Sequence, residues 1–481
     1  MDINFYKSKI INISLVIFFL FLLNYFWKFF ALYPLSFMAD DSYYYSQIAY
    51  NIGVNRFSSF DGLNLTTGYH LLWTAVLSFI SFFMSFFTQI KEVHLMSHIS
   101  IYFLIMIFFL KKFSSNTFET LILSGIIISG YILMENLIVI LLLFLIYKEL
   151  IKFNKKNQFS KILLFSFFLI PLARIDAIIL VGFIPLILFL NTRNKFYLLL
   201  LLSLLIGIIF NFIIYYIIGG EIYSVSSYVK MNQNITNTME HRIIKNVFYT
   251  NIMPLGWLTA KVRGYILILF FLVFLINIII LKKKQSLIFY GFFSGLYFYF
   301  FTQLFLNYID TWYYSIMFGF LFILLKLFNY ESQFNNIPKF IFYIFIIFLL
   351  FGKFYNSFKY YDFRNNYFLE IKQISNYLPE NSKIYQYDIS GHLGFFSRTK
   401  VINGDGLVNS FKYADDLLNK NLSNYLIQNN ICYLTDLFTQ KLENEKVILN
   451  QSGLIVKYSD VFLKKKFKSF NLFELLSCKN N

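Results

Sequence analysis

The sequence predicts an α-helical polytopic membrane protein with a small α/β domain at its carboxy-terminal end, and three observations predict it. Hydrophobic residues make up 58% of the 481 residues, above the ~45–50% of an ordinary soluble chain. Charged residues reach only 14%, against a usual ~25%, too few to clothe a soluble surface. Apolar runs of roughly 15–25 residues recur from the first turn to about residue 356, and that is the length needed to cross a bilayer. These features exclude a soluble enzyme, a nucleic-acid-binding domain and a secreted disulfide scaffold.

Segments suited to crossing run at 10–32, 94–110, 117–133, 136–150, 161–172, 176–191, 196–218, 264–281, 286–306, 312–328 and 339–356. The first is too long for a signal-peptide core and lacks a small-residue cleavage site, so it is expected to be retained as a membrane helix. The stretch 70–90, "HLLWTAVLSFISFFMSFFTQI", is also long enough to span, and loop charge arbitrates. If it lies along the interface or re-enters while the other eleven cross, Lys7, Lys9 and the basic loops 111–112, 148–161, 193–195, 282–284 and 326–339 all face the cytoplasm. That obeys the positive-inside rule, whereas a crossing at 70–90 would place 111–112 and 148–161 outside. The net charge of +17 is therefore read as a topology signal and an attraction to anionic headgroups, with no nucleic-acid partner.

In this arrangement a multi-pass protein of about eleven transmembrane helices occupies 1–356, and 357–481 forms an extracytoplasmic domain. The loop 33–93, the links near 134–136 and 174–176, and the loops 219–263 and 307–312 fall on the same outer side. Nearly all the unusual polar residues collect there. A one-sided polar cluster at the bilayer surface suits an enzyme acting on a lipid-linked substrate.

From about 357, apolar runs shrink and Asn, Asp, Ser, Lys and Tyr rise. Strands are expected at 382–388, 400–405, 430–436 and 453–465, with helices at 366–378 and 412–428. Cys432 and Cys478 have no metal-ligand spacing; they could pair in an oxidising compartment, but nothing in the sequence requires it.

The chemistry concentrates after the first helix, in "FMADDSYYYSQIAYNIGVNRFSSFDGLNLTTGYHLLW". Asp40 and Asp41 stand where that helix leaves the hydrocarbon. Adjacent carboxylates there repel, so one is either partly protonated or bound to a cation; the plainer alternative is a solvated helix terminus. Residues 43–52 read as a short amphipathic helix with Tyr44 on one face, 58–68 carry turn chemistry, and Tyr69, His70 and Trp73 restart the apolar pattern as site residues or as an interfacial belt. Four further features face outward. Glu135 in "YILMENLIVI" needs a partner in so apolar a setting. "LARIDA" places Arg174 beside Asp176, most simply as a local ion pair. "GGEIYSVSSYVK" offers Ser226 and Lys230, and "NYIDTWYY" offers Trp312 and Tyr313. Asp388, His392 and Asp405 read as local fold support.

In this order, "ADDSYYYSQIAYNI", "FDGLNLTTGYHLLW", "ME", "LARIDA", "SSYVK" and "WYY" resemble the bacterial GT-C glycosyltransferases. These are polyprenyl-phosphate-sugar-dependent enzymes related to protein O-mannosyltransferases, aminoarabinose transferases and mycobacterial arabinofuranosyltransferases. "YDISGHLGFFSRTKVINGDGLVNS" (387–410) resembles the outward domain of that group, so the likeness extends over most of the chain. Two departures stand out: relatives usually have Gly before Met-Glu and Thr after it, and often Pro after the matching His. The resemblance implies a GT-C-like membrane module with helices lying along the membrane in the first external loop, and an acidic motif matched by Asp40 and Asp41, the base role falling first to Asp40.

What it further implies is transfer of a sugar from a polyprenyl-phosphate donor to a glycan, lipid or protein hydroxyl on the outer face of the plasma (inner) membrane, with inversion. The phosphate leaves as a stable anion, so the site needs a carboxylate to take the acceptor proton and cations to offset growing charge. Lys230, with Arg174, Arg242 and Lys245 as competitors, fits the cation role. Tyr44, Tyr69, His70, Trp73, Glu135, Asp176, Ser226, Trp312 and Tyr313 are candidates for binding sugar or acceptor. A divalent metal, Mg or Mn, is conceivable only through Asp40 and Asp41, because no convincing ligand spacing occurs elsewhere. The rival readings are an oligosaccharide transferase or O-antigen polymerase-like enzyme with a diphosphate-linked donor and, further off, a lipid flippase or transporter, which would place ionisable groups at the midplane and often show repeats.

Overall fold

A chain this apolar satisfies its backbone polar groups within helices, since lipid offers no partners. The computed structural model describes residues 38–156, 159–232, 287–305, 311–331, 361–379, 381–435, 440–442, 445–451 and 454–479. The expected crossings at 10–32, 264–281 and 339–356 lie outside them, as do Arg242 and Lys245.

The described part up to residue 331 is helical: α1 (Asp40–Asn55), α2 (Leu71–Met84), α3 (Lys91–Phe113), α4 (Thr117–Ser129), α5 (Asn136–Lys156), α6 (Lys161–Ala173), a 3-10 turn (Ile175–Ala177), α7 (Ile178–Thr192), α8 (Lys195–Gly219), α9 (Val225–Asn232), α10 (Leu287–Phe305) and α11 (Thr311–Glu331). Three helical stretches among the described residues are long and apolar enough to cross a membrane: Lys91–Phe113, Ile175–Thr192 and Lys195–Gly219. The disputed segment 70–90 resolves into α2, whose 14 residues span only about 21 Å at 1.5 Å per residue, short of the ~30 Å hydrocarbon core. α8 buries Leu200, Leu204, Gly207 and Asn211 along one stripe, and the Asn211 amide donates to the Pro171 carbonyl of α6 at 2.9 Å. Its opposite face leaves Leu202, Leu205, Ile209 and Ile213 about half exposed, a surface suited to lipid tails.

The tyrosine-rich α1 is buried from Ser42 to Asn51, because the apolar helices cover one side and the carboxy-terminal region the other. That region comprises α12 (Tyr361–Ile374), β1 (Lys383–Gln386), α13 (Ser390–Phe396), β2 (Lys400–Asn403), α14 (Phe411–Leu418), α15 (Leu422–Gln428), β3 (Tyr433–Thr435), β4 (Gln440–Leu442), β5 (Glu445–Gln451), β6 (Leu454–Lys457), β7 (Val461–Lys466), β8 (Asn471–Leu475) and α16 (Leu476–Lys479). One sheet has the order β2-β1-β3-β8-β7, parallel where α13 and the α14–α15 pair provide crossovers and antiparallel at β8 and β7. A second sheet, β4-β5-β6, is antiparallel. A disulfide joins Cys432, just before β3, to Cys478 in the last helix.

Two expectations need adjustment here. The helix expected over 412–428 is two, α14 and α15, with Lys420 between them at φ 58°, a left-handed conformation that no helix continues through. The strand expected over 453–465 is β6 and β7, divided by the 3-10 turn Tyr458–Asp460.

The cores do not respect the boundary near 357. Val408, Phe395 and Phe368 belong to the large core formed by the membrane helices. Conversely, Val225 and Val229 of α9 are fully buried among Tyr385, Ile402, Tyr413 and Leu417.

Candidate functional site

The site is built around a buried loop, Gly130–Glu135 in the chain between α4 and α5. Tyr131 and Leu133 take the left-handed conformation there, at φ 69° and 67°, which costs an ordinary residue free energy and persists only where surroundings enforce it. Three side chains enforce it by satisfying the loop's carbonyls. Ser42 Oγ donates to Ile132 O at 2.6 Å, Trp73 Nε1 to Leu133 O at 2.6 Å, and Tyr102 OH to Tyr131 O at 3.4 Å. The loop so held delivers Glu135.

Glu135 is met by Arg174 Nη1 at 2.6 Å, Tyr45 OH at 3.0 Å and His70 Nε2 at 3.5 Å. Arg174 also donates from Nε to Asp176 at 2.7 Å, and Tyr299 OH donates to the other Asp176 oxygen at 3.3 Å. The Arg174 and Glu135 side chains are 2% and 1% exposed, so each charge depends on the other for compensation. Burial holds the His70 imidazole below its ordinary range, with Arg174 acting in the same direction against the pull of Glu135. His70 is therefore neutral at pH 7, and it faces Glu135 as a polar neighbour and not as the cationic half of an ion pair.

Above this network opens a cavity of about 570 Å3, open space at its entrance included, lined by Asp41, Tyr44, Tyr45, Tyr69, His70, Glu135, Arg174, Ser226, Lys230, Leu407 and Val408 among others. Burial and the neighbouring acids raise the Tyr44 and Tyr45 hydroxyls well above their ordinary values, so both remain protonated. Tyr69 is likewise raised by burial; its hydroxyl meets Ser58 at 2.8 Å, and its carbonyl accepts from Tyr215 at 2.7 Å. Lys230 arrives on α9. The amide of Val225 donates to Thr67 Oγ1 at 3.1 Å, and Tyr228 OH donates to Asp415 at 2.8 Å, so first loop and carboxy-terminal domain together set that helix.

The structure thus brings together Asp41, Tyr44, Tyr69, His70, Glu135, Arg174, Ser226 and Lys230. Trp73 is removed from the sugar-binding set: it is fully buried and its one donor is spent on Leu133 O, so it shapes the loop and does not line the cavity. Asp176 also stands behind the wall, as the partner of Arg174. Trp312 and Tyr313 open α11, and their side chains lie outside the described residues.

The two acids separate. Asp41 lines the cavity, whereas Asp40 turns to α13 and accepts from the Gly391 and His392 amides at 2.8 and 2.9 Å and from His392 Nδ1 at 2.6 Å. With Asp40 so engaged, the pair does not present two carboxylates to one ion. Among the described residues no cluster of three His, Cys, Asp or Glu could hold a metal. With Asp40 held by α13, these two carboxylates do not fit the divalent metal the acid pair suggested.

Four participants carry no signal of their role in the sequence. Tyr45 is hidden in a run of tyrosines, His392 reads as fold support, and Leu407 and Val408 come from a domain the chain reaches more than 350 residues after Asp41. No spacing in the sequence signals those contacts. No protein-family model matches the chain, and a search of curated proteins returns no match.

Proposed function

We propose that the protein is an integral membrane glycosyltransferase of GT-C-like architecture, with about eleven crossings, acting on the outer face of the plasma (inner) membrane. It moves a sugar from a polyprenyl-phosphate carrier to a hydroxyl of a glycan, lipid or protein. The observation that carries this reading is that one cavity, set between apolar helices and a disulfide-bonded domain, is lined by both the carboxylate of Asp41 and the ammonium of Lys230. Such a disulfide is at home in an oxidising, extracytoplasmic compartment.

In the proposed reaction Asp41 takes the proton of the acceptor hydroxyl as its oxygen bonds to sugar C1. The bond from C1 to the phosphate oxygen breaks, and its electron pair stays with the phosphate. Attack opposite the leaving group inverts C1. Lys230 offsets the charge gathering on the departing phosphate. Arg174 is a weaker choice for that role, because Glu135 and Asp176 already engage its guanidinium; it holds Glu135 in place to accept sugar hydroxyls. Tyr44, Tyr69 and His70 supply stacking surface and polar atoms to the sugar, while lipid accommodates the polyprenyl tail.

Purified Asp41→Asn protein, assayed with a panel of polyprenyl-phosphate sugars, should lose turnover by about 10²–10⁴-fold, the contribution of a positioned general base. Full turnover in that variant would overturn the assignment.

A further inference from the structure

Asp40 carries a carboxylate that does not line the cavity. Its two oxygens accept two backbone amides and the His392 imidazole of α13. The fit is close: a Cβ on Gly391 would lie 2.4 Å from the Asp40 carbonyl oxygen, so only glycine admits this approach. The His392 ring packs on Tyr43 with centroids 4.4 Å apart. One turn along α1, the Tyr44 hydroxyl accepts from the Ser390 amide at 3.2 Å and the Asn403 side-chain amide at 3.1 Å. Asn403 in turn anchors the following turn, its Oδ1 accepting from Val408 N at 3.4 Å and its carbonyl from Asn409 Nδ2 at 3.2 Å. The anchored turn ends at the cavity: Leu407 and Val408 line it, and the Leu407 carbonyl lies 1.9 Å from where a Cβ on Gly68 would be.

We propose that Asp40 is a positioning residue, not the proton acceptor: its carboxylate latches the carboxy-terminal domain onto the first loop, and the wall so placed, Leu407 and Val408, makes that domain part of the substrate site. The inference rests on the cavity being the place of reaction, as read above. Its physical basis is a chain of contacts running from Asp40 through α13 and Asn403 to Val408. Charge-assisted hydrogen bonds to a carboxylate are the strong kind, and removing it strands three donors in a largely buried setting. The same domain seats Lys230 through buried Val225 and Val229, so release of the latch disturbs the cavity from two sides.

The test is cysteine labelling in the full-length protein, where the two native cysteines are joined to each other and do not react. Val408→Cys, 5% exposed at the parent residue, should react slowly with a maleimide. Adding Asp40→Ala or His392→Ala should speed labelling by about 10–100-fold, the effect of losing such bonds on a local opening equilibrium. Adding His392→Asn, whose amide nitrogen can take the place of Nδ1, should restore slow labelling, and adding Asp41→Asn should leave it unchanged. Equal rates across all variants, or fast labelling in His392→Asn as in His392→Ala, would overturn the latch. If Asp40→Ala does not fold, the two His392 variants decide alone. The readout requires no turnover: slow labelling restored by His392→Asn in a protein inactive on every polyprenyl-phosphate sugar would sink the glycosyltransferase reading and leave the latch standing.

Discussion

Glu135 and Arg174 are 39 positions apart in the chain, and each is nearly sealed from solvent by the packing that joins them. A buried ion pair contributes little against an apolar replacement, but removing one partner alone leaves an uncompensated charge. Arg174→Ala should therefore cost about 3–5 kcal/mol of stability, and the double variant Arg174→Met with Glu135→Gln should recover most of it. The midpoint of thermal unfolding of the purified variants checks this. A single variant as stable as the double one would mean that water reaches Glu135. The residue scale also shows what a sequence conveys. The Arg174–Asp176 pair was legible because two positions separate its members. The Arg174–Glu135 and Asp40–His392 contacts were not, since 39 and 352 positions intervene and no periodicity spans such gaps.

Elements were more legible than contacts, because periodicity is local. The expected strands at 382–388, 400–405 and 430–436 correspond to β1, β2 and β3, and apolar runs such as 196–218 correspond to α8. Legibility failed where a single backbone conformation, like that of Lys420, divides a continuous pattern. It also failed at α13, whose seven residues are too few to show a period. The turn 403–408 is the element on which the cavity wall depends, and it carries a titratable group. Burial, with the nearby Asp388 charge, pushes the Asp405 carboxyl up to about 7, while the Leu407 amide it accepts opposes the shift. In the unfolded chain an Asp titrates near ~3.9. Between these values the folded state holds more protons than the unfolded one, so stability declines as pH rises through that window and is level above it. Asp405→Asn keeps the acceptor for Leu407 N–H but removes the titration. Its thermal midpoint relative to the parent should rise from about pH 4 to about pH 7, and a difference independent of pH would show that Asp405 is not the group responsible.

At the scale of the whole molecule, the arrangement depends on where 70–90 lies. Loop charge argues that it does not cross; helix length does not separate the alternatives, since α2 has 14 residues while α4 and α6, in segments counted as crossing, have 13 each. α2 is bound to α1: a Cβ on Gly53 would lie 2.5 Å from the Ser81 Cβ, and α1 carries Asp41 at the cavity. α3, with 23 residues, is about 35 Å long and can cross by itself. Position 65, partly exposed before α2, and position 111, exposed near the end of α3, should then stand on opposite sides of the membrane. With α2 also crossing they would stand on the same side. Leu65→Cys should react with a membrane-impermeant maleimide from outside intact cells, and Lys111→Cys only after the membrane is opened. Labelling of both from one side would put the basic loops 111–112 and 148–161 on the wrong face, and would remove the one-sided polar cluster from which an outward-facing transferase was inferred.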